Sequence, residues 1–287
     1  MIILDRGAMD GRAYIDMESW PNVLSACGVD IHEIRERYHQ ICHLVTAADG
    51  AQSFYTLVNN KARTETVEEA IKIDKKTRGA WVGHEWLSIV DNSSIVDNSN
   101  CCSFDEKISK LIAVVCERVG IGIPASDRSA PNSKKRKWLV SKIVDNEAFL
   151  QIKQETFVLR YDYLTTTGSS QVRLRSRCHD GQCSYTHTTQ TFEVADAKIL
   201  PQPVETRKQL DECEYQRHLE HRDPNRQPLQ KTRVYFVFGN VYFNLDMYDA
   251  PSRMILETYT TSPFGDRAPR LPDFLEIVRE IRTESEE

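Results

Sequence analysis

The sequence predicts two unlike halves: a mostly helical α/β half over residues 1–120, and an α+β half of antiparallel strands over 134–287. Three observations predict it. Apolar residues recur at helical spacing before residue 120, and they alternate at period two after residue 134. Between the two, residues 121–133 are rich in Pro, Gly and Ser and read as a linker.

In chain order, Ile2-Ile3-Leu4 is a short apolar run stopped by Asp5-Arg6-Gly7, which reads as a buried strand ending in a loop. A buried parallel strand needs neighbours to satisfy its backbone groups, so further α/β structure is expected in front of it. Ser103-Phe104-Asp105-Glu106 forms a capping box. Behind it, Ile108, Leu111, Ile112, Val115 and Val119 keep helical spacing until Gly120 supplies a stop. The identical hexapeptides Ser88–Ser93 and Ser94–Ser99 stand in tandem. Two short copies are too few for a solenoid, so one copy is expected in a strand and the other looped out.

After the linker come short alternating runs at Trp138–Val140, Phe157–Leu164, Val172–Arg177, Ser184–Thr191, Val234–Phe238, Val241–Met247 and Met254–Thr260. Gly168-Ser169, Asp180-Gly181 and Gly239-Asn240 separate several of them, and the pattern predicts an antiparallel sheet closed into a tunnel or strongly curved. Glu205–Leu219 reads as a partly exposed helix, and Phe274, Ile277, Val278 and Ile281 stripe a last one.

A chain of 287 residues, 40% hydrophobic and 28% charged, can bury a core, which excludes a mostly disordered polymer. No run approaches the roughly 20 apolar residues of a membrane span, and the first residues lack the order of a secretory signal, so a cytoplasmic location is expected. The formal charge of -5 argues against a general nucleic-acid binder. Eight cysteines without a Cys-x-x-Cys pair read as reduced thiols. Cys178-His179, Cys183 and His187 could be drawn as a zinc site, but Cys178 and Cys183 flank the turn-like His179–Gln182 and read as cross-strand neighbours.

Strand alternation carries the chemistry. In Val172–Arg177, Arg173, Arg175 and Arg177 share one face, while Val172 and Leu174 take the other. Lys231-Thr232-Arg233 repeats the arrangement, Arg160 is a further candidate, and Lys134–Lys137 opens the domain. From 134 to 177 there are ten basic residues (134, 135, 136, 137, 142, 153, 160, 173, 175 and 177) against four acidic (145, 147, 155 and 162), a local +6. On a solvated sheet face such a stripe guards against edge pairing. Inside a closed sheet it is costly without a bound anion, and the guanidinium fork matches phosphate oxygens two at a time.

Arg136–Val140, Arg173–Arg175, Lys231–Arg233, Asp246 and Leu256-Glu257 occur in an order that resembles the CYTH domains, or triphosphate tunnel metalloenzymes. Asp5–Gly11, His43–Ala51, Ala80–His84 and Ile89–Ser93 resemble a P-loop kinase-like domain of the AAA group. Together the motifs are similar, over essentially the whole chain, to the TRPL translocation defect protein 14 family. The resemblance implies a P-loop kinase-like domain, linker and CYTH-like tunnel at 1–120, 121–133 and 134–287. It also implies GTP binding involving Asp5 and Arg6, phosphoinositide binding, and a role in trafficking a membrane channel.

Two departures shape the expected function. None of the twelve glycines is followed by Lys-Ser or Lys-Thr, so the phosphate cradle of a Walker A loop is lacking and GTP affinity is expected to be weak. Tunnel enzymes open with Glu-x-Glu-x-Lys. Placing that lysine on Lys137 puts Ser133 and Lys135 where carboxylates belong, and Tyr259 halves the later acidic pair. Asp246 and Glu257 remain as magnesium ligands or as ion-pair partners of the basic residues. The expectation is a non-enzymatic protein, peripheral to membranes, that captures a phosphoinositide head group or another polyphosphate through Lys137, Arg160, Arg173, Arg175, Arg177, Lys231 and Arg233. A magnesium-dependent tunnel triphosphatase is the alternative. Arg175→Ala and Arg233→Ala are expected to weaken capture with little change in melting temperature.

Overall fold

A computed structural model describes residues 2–16, 18–55, 65–92, 104–119, 134–166, 170–191, 204–260 and 269–281. The chain divides into two compact units, one of Met1–Glu155, Tyr235–Asn244 and Leu256–Glu287, the other of Thr156–Val234 and Leu245–Ile255.

In the first unit the elements up to residue 119 are α1 (Ser19–Cys27), α2 (Ile31–Glu36), β1 (Ile41–Leu44), α3 (Val67–Ala80), β2 (Leu87–Val90) and α4 (Phe104–Val119), with 3-10 turns at Ala8–Ala13 and Gln52–Phe54. Strands β1 and β2 pair in parallel, Ile41 opposite Leu87 through Leu44 opposite Val90. Thr66 caps α3 in a box with Glu69, and Gly28 ends α1 in the left-handed conformation. Met9, Trp20, Ile34, Ala80, Trp81 and Leu87 form a core. A Cβ at Gly7 would collide with the Trp81 ring, so only glycine lets the loop lie this close.

The expected strand at Ile2–Leu4 is not formed. Its side chains are 88%, 78% and 62% exposed, and the parallel sheet consists of β1 and β2 alone among the described residues. Helix α4 forms where the periodicity places it, and β2 lies in the first hexapeptide copy. The Ser103 cap, the Gly120 stop, the second hexapeptide copy and the linker lie outside the described residues.

The remaining elements are β3 (Lys134–Ile143), α5 (Asn146–Gln151), β4 (Gln154–Leu164), β5 (Ser170–His179), β6 (Gln182–Thr191), β7 (Val204–Leu210), α6 (Glu212–Leu219), β8 (Leu229–Phe238), β9 (Val241–Asp249), β10 (Ser252–Thr260) and β11 (Leu275–Ile281). The strands form one nine-stranded antiparallel sheet in the order β11-β3-β10-β9-β8-β4-β5-β6-β7. That order has two ends, so the described ladder is open, where the expectation was a sheet closed into a tunnel or strongly curved. In the first unit Phe149 of α5 packs with Phe236 and Phe274, and Phe236 stacks on Phe243.

Three further expectations are corrected. Residues 205–219 are not one helix: β7 runs to Leu210, and Asp211 then caps α6 in a box with Glu214. The apolar stripe at 274–281 is mostly strand β11, paired with β3. Its register shifts between Glu276 and Ile277 and again between Ile277 and Arg279, and such irregularities replace period two with a spacing that imitates a helix. The cysteines are not all reduced, because Cys178 and Cys183 form a disulfide across the β5–β6 hairpin. Asp180 (φ 48°) and Gly181 (φ 81°) turn that hairpin, the left-handed pair that a tight two-residue turn requires.

Candidate anion-binding face

Register decides which side chains share a face. On β4 and β5, Leu159 lies opposite Arg177, Tyr161 opposite Arg175 and Tyr163 opposite Arg173, and β6 continues the rows with Ser184, Thr186 and Thr188. The three arginines therefore stand together, as the alternation predicts. Arg175 and Arg177 are buried at 6% and 2% exposure. Arg175 donates from Nη2 to Thr186 Oγ1 at 3.2 Å, and the Arg177 guanidinium lies 3.5 Å from the Phe157 ring centroid. Leu174 on the other face packs with Leu210 and with Tyr215 of α6, so both faces of β5 are covered.

Strand β8 brings Lys231 and Arg233 to the same side, since Arg173 and Lys231 both approach the Tyr161 ring, at 5.8 and 5.5 Å. Both β8 cations engage Asp246 of β9. Lys231 Nζ donates to Oδ2 at 2.6 Å, and Arg233 donates from Nε to Oδ1 at 2.5 Å and from Nη2 to Oδ2 at 2.6 Å. Burial pushes the Asp246 carboxyl up, but the hydrogen bonds and charges of Arg233 and Lys231 more than offset this and hold it below the ordinary aspartate value.

Arg160 is not in this group. It lies opposite Ser176, on the face that carries Leu174, where it donates to Asp162 at 2.8 and 3.1 Å. Arg222 approaches the same carboxylate at 3.7 Å. The bond to Asp162 holds the Arg160 guanidinium above its ordinary value.

In the other unit, Lys135 and Lys137 of β3 meet Glu257 of β10 at 3.0 and 3.5 Å. Alternation sends Arg136 the opposite way, to a two-pronged pair with Glu280. The basic opening cluster is thereby split between two faces. The cation standing where a tunnel enzyme would place a carboxylate, Lys135, neutralises one of the carboxylates that remain.

Asp5 and Arg6 are exposed. At the carboxyl end of the β1–β2 pair, residues of the His43–Ala51 and Ile89–Ser93 stretches come together with Asp74 and Lys107, which the sequence did not single out. Lys107 Nζ donates to Val45 O and to Asn92 Oδ1, while Asn92 Nδ2 donates to Thr46 O and Asp49 O at 2.8 and 2.7 Å. Burial lowers the Lys107 ammonium from its ordinary value. His43 and Thr46 N both bind Asp74. These bonds tie the strand ends to α3 and α4.

Sequence reasoning also missed the aromatic floor: Phe157, Tyr161, Tyr163 and Tyr248. The signal was present in β4, where Phe157, Leu159, Tyr161 and Tyr163 alternate and so must share a face.

The carboxylates do not fit a divalent metal as they stand. Both Asp246 oxygens accept from cations, both Glu257 oxygens face lysines, and among the described residues no three His, Cys, Asp or Glu side chains are grouped as a metal site needs. No helix among the described residues is long and apolar enough to cross a membrane.

Residues 1–97 match the family described as an AAA domain, in keeping with the α/β character of that segment. No curated protein matches the chain. Solved structures similar to it include the PH1819 protein of Pyrococcus horikoshii, at 14% identity over 45% of this chain and 79% of that one (TM-score 0.34). The PH1012 protein of the same organism matches at 15% identity over 46% and 81% (TM-score 0.33). A conserved hypothetical protein of Pyrococcus furiosus matches at 13% identity over 46% and 82% (TM-score 0.31).

Proposed function

We propose that the chain is a binding protein whose basic sheet face captures a polyphosphate anion, either free or carried on an inositol lipid head group. One observation carries this reading. Arg175, Arg177, Lys231 and Arg233, each more than nine-tenths buried, converge on one face of the sheet. Burying cations is costly, and positioned guanidinium groups suit phosphate oxygens. Arg173 extends the face toward solvent. Asp246 orders Lys231 and Arg233 rather than holding metal, because both of its oxygens already accept from them.

A divisional reading follows: residues 1–120 form an AAA-like domain and 134–287 form the capturing domain, as in the TRPL translocation defect protein 14 family. That kinship would place the protein in the cytoplasm and peripherally at membranes, in channel trafficking.

The test has two arms, calorimetry with soluble tripolyphosphate and co-sedimentation with vesicles carrying phosphorylated inositol lipids. Arg175→Ala is expected to weaken binding about tenfold or more in the arm that reports the ligand. Absence of binding in both arms would overturn the reading. Magnesium-dependent phosphate release from tripolyphosphate that Glu257→Ala abolishes would replace it with a hydrolase.

A further inference from the structure

The basic face contains an alternation of cations and tyrosine rings that runs across the strands rather than along them. Arg253 on β10 lies 4.8 Å from the Tyr248 ring of β9. Lys231 on β8 lies 5.4 Å from that same ring and donates to the Tyr248 hydroxyl at 3.4 Å. On its other side Lys231 lies 5.5 Å from the Tyr161 ring of β4, and Arg173 on β5 completes the row 5.8 Å from Tyr161. The strands β10, β9, β8, β4 and β5 are consecutive in the sheet, so every strand contributes one member.

Each ring is shared by two cations. Aromatic faces attract cations through their quadrupole, so a ring between two of them positions both without adding a negative charge of the kind that Asp246 brings to Lys231. The row is also graded. Lys231 at its centre is buried, Arg173 is half-buried and Arg253 is exposed. The strands that carry the cations alternate with those that carry the rings, so their backbones lie about 10 Å apart, twice the strand spacing. With a hydrogen bond at each end a pyrophosphate reaches two neighbouring members at most, whereas touching all three, spread over four strand spacings, takes a longer chain of linked phosphates.

The geometry points to Tyr161 and Tyr248 as specificity-determining positioning residues that spread three cations into a transverse row, so that affinity rises with the length of a linear polyphosphate. This rests on the polyphosphate reading above and adds to it the length of the anion and the residues that measure it.

Calorimetry with pyrophosphate, tripolyphosphate and long-chain inorganic polyphosphate tests it. The wild-type chain should bind more tightly at each step in length. Tyr161→Leu and Tyr248→Leu should weaken long-chain binding about fivefold or more while leaving pyrophosphate within about twofold, and Tyr161→Phe and Tyr248→Phe, which keep the rings, should stay within about twofold throughout. Arg253→Ala, at an exposed position, should lose the long-chain increment with the fold intact. Leucine variants with the wild-type length dependence, phenylalanine variants as weak as leucine ones, or an unaffected Arg253→Ala would each overturn the inference while the capture reading stands. A wild-type chain that binds none of the three anions would overturn both.

Discussion

Asp162 and Asp246 lie in the same unit, both sealed from solvent and each clasped by two cations, yet they are not equivalent. The Asp162 partners, Arg160 and Arg222, have side chains 41% and 43% exposed, while the Asp246 partners, Lys231 and Arg233, are at 8% and 10%. On the α6 side the cations reach in from water to cover a buried carboxylate. On the other side the cations are themselves buried, and the carboxylate orders them. The difference teaches that burial of the cations, rather than the presence of an ion pair, sets the face proposed for anion capture apart from the clasp beside α6.

The largest effect that would sharpen this contrast is expected from Asp246→Ala. Removing the carboxylate shared by two buried cations should cost about 3–5 kcal/mol in chemical denaturation. The same logic revises one expectation from the sequence: Arg233→Ala should also destabilise, because it strips Asp246 of its two-pronged partner, so Arg175→Ala is the cleaner probe of capture. Asp162→Ala comes next, at about 1–2 kcal/mol, since Arg160 and Arg222 can turn to solvent, and it should leave tripolyphosphate binding unchanged. Equal losses for the two aspartates would break the comparison.

Acidification separates the two faces by pH window. Asp246 titrates below its unfolded value, so its contribution is present above about pH 4 and is lost as the pH falls through its folded value. His187 faces α6, with its ring 5.2 Å from that of His218. Burial, then His218 and Lys208, push His187 below the ordinary histidine value. The unfolded chain takes up that proton first, so stability should fall as the pH drops below about 6.5. Thermal unfolding across pH should show this as the smallest effect, absent in His187→Phe, with the acid limb weakened in Asp246→Asn.

Much of this was legible in the sequence, and the failures share a physical cause. The arginine triplet could be assigned to one face because alternation within a strand is local. Arg160 could not, because its face depends on pairing with Ser176 rather than Arg175, and cross-strand register is a tertiary property. The irregular register of β11 erased the period-two signal. The start of α6 was readable, since Asp211 and Glu214 have capping-box spacing, but the charge-rich segment before it masks a strand. The open ends of the sheet were invisible, because alternation looks alike in open and closed ladders.

The seat of the N-terminal loop on Trp81 has an optical consequence. The indole is 2% exposed and donates from Nε1 to Asp10 Oδ1 at 2.6 Å, with Gly7 lying against its ring. Any ligand or partner that lifts the Asp5–Gly7 segment must wet this ring, so red-shifted emission and easier acrylamide quenching would report that departure without an attached dye.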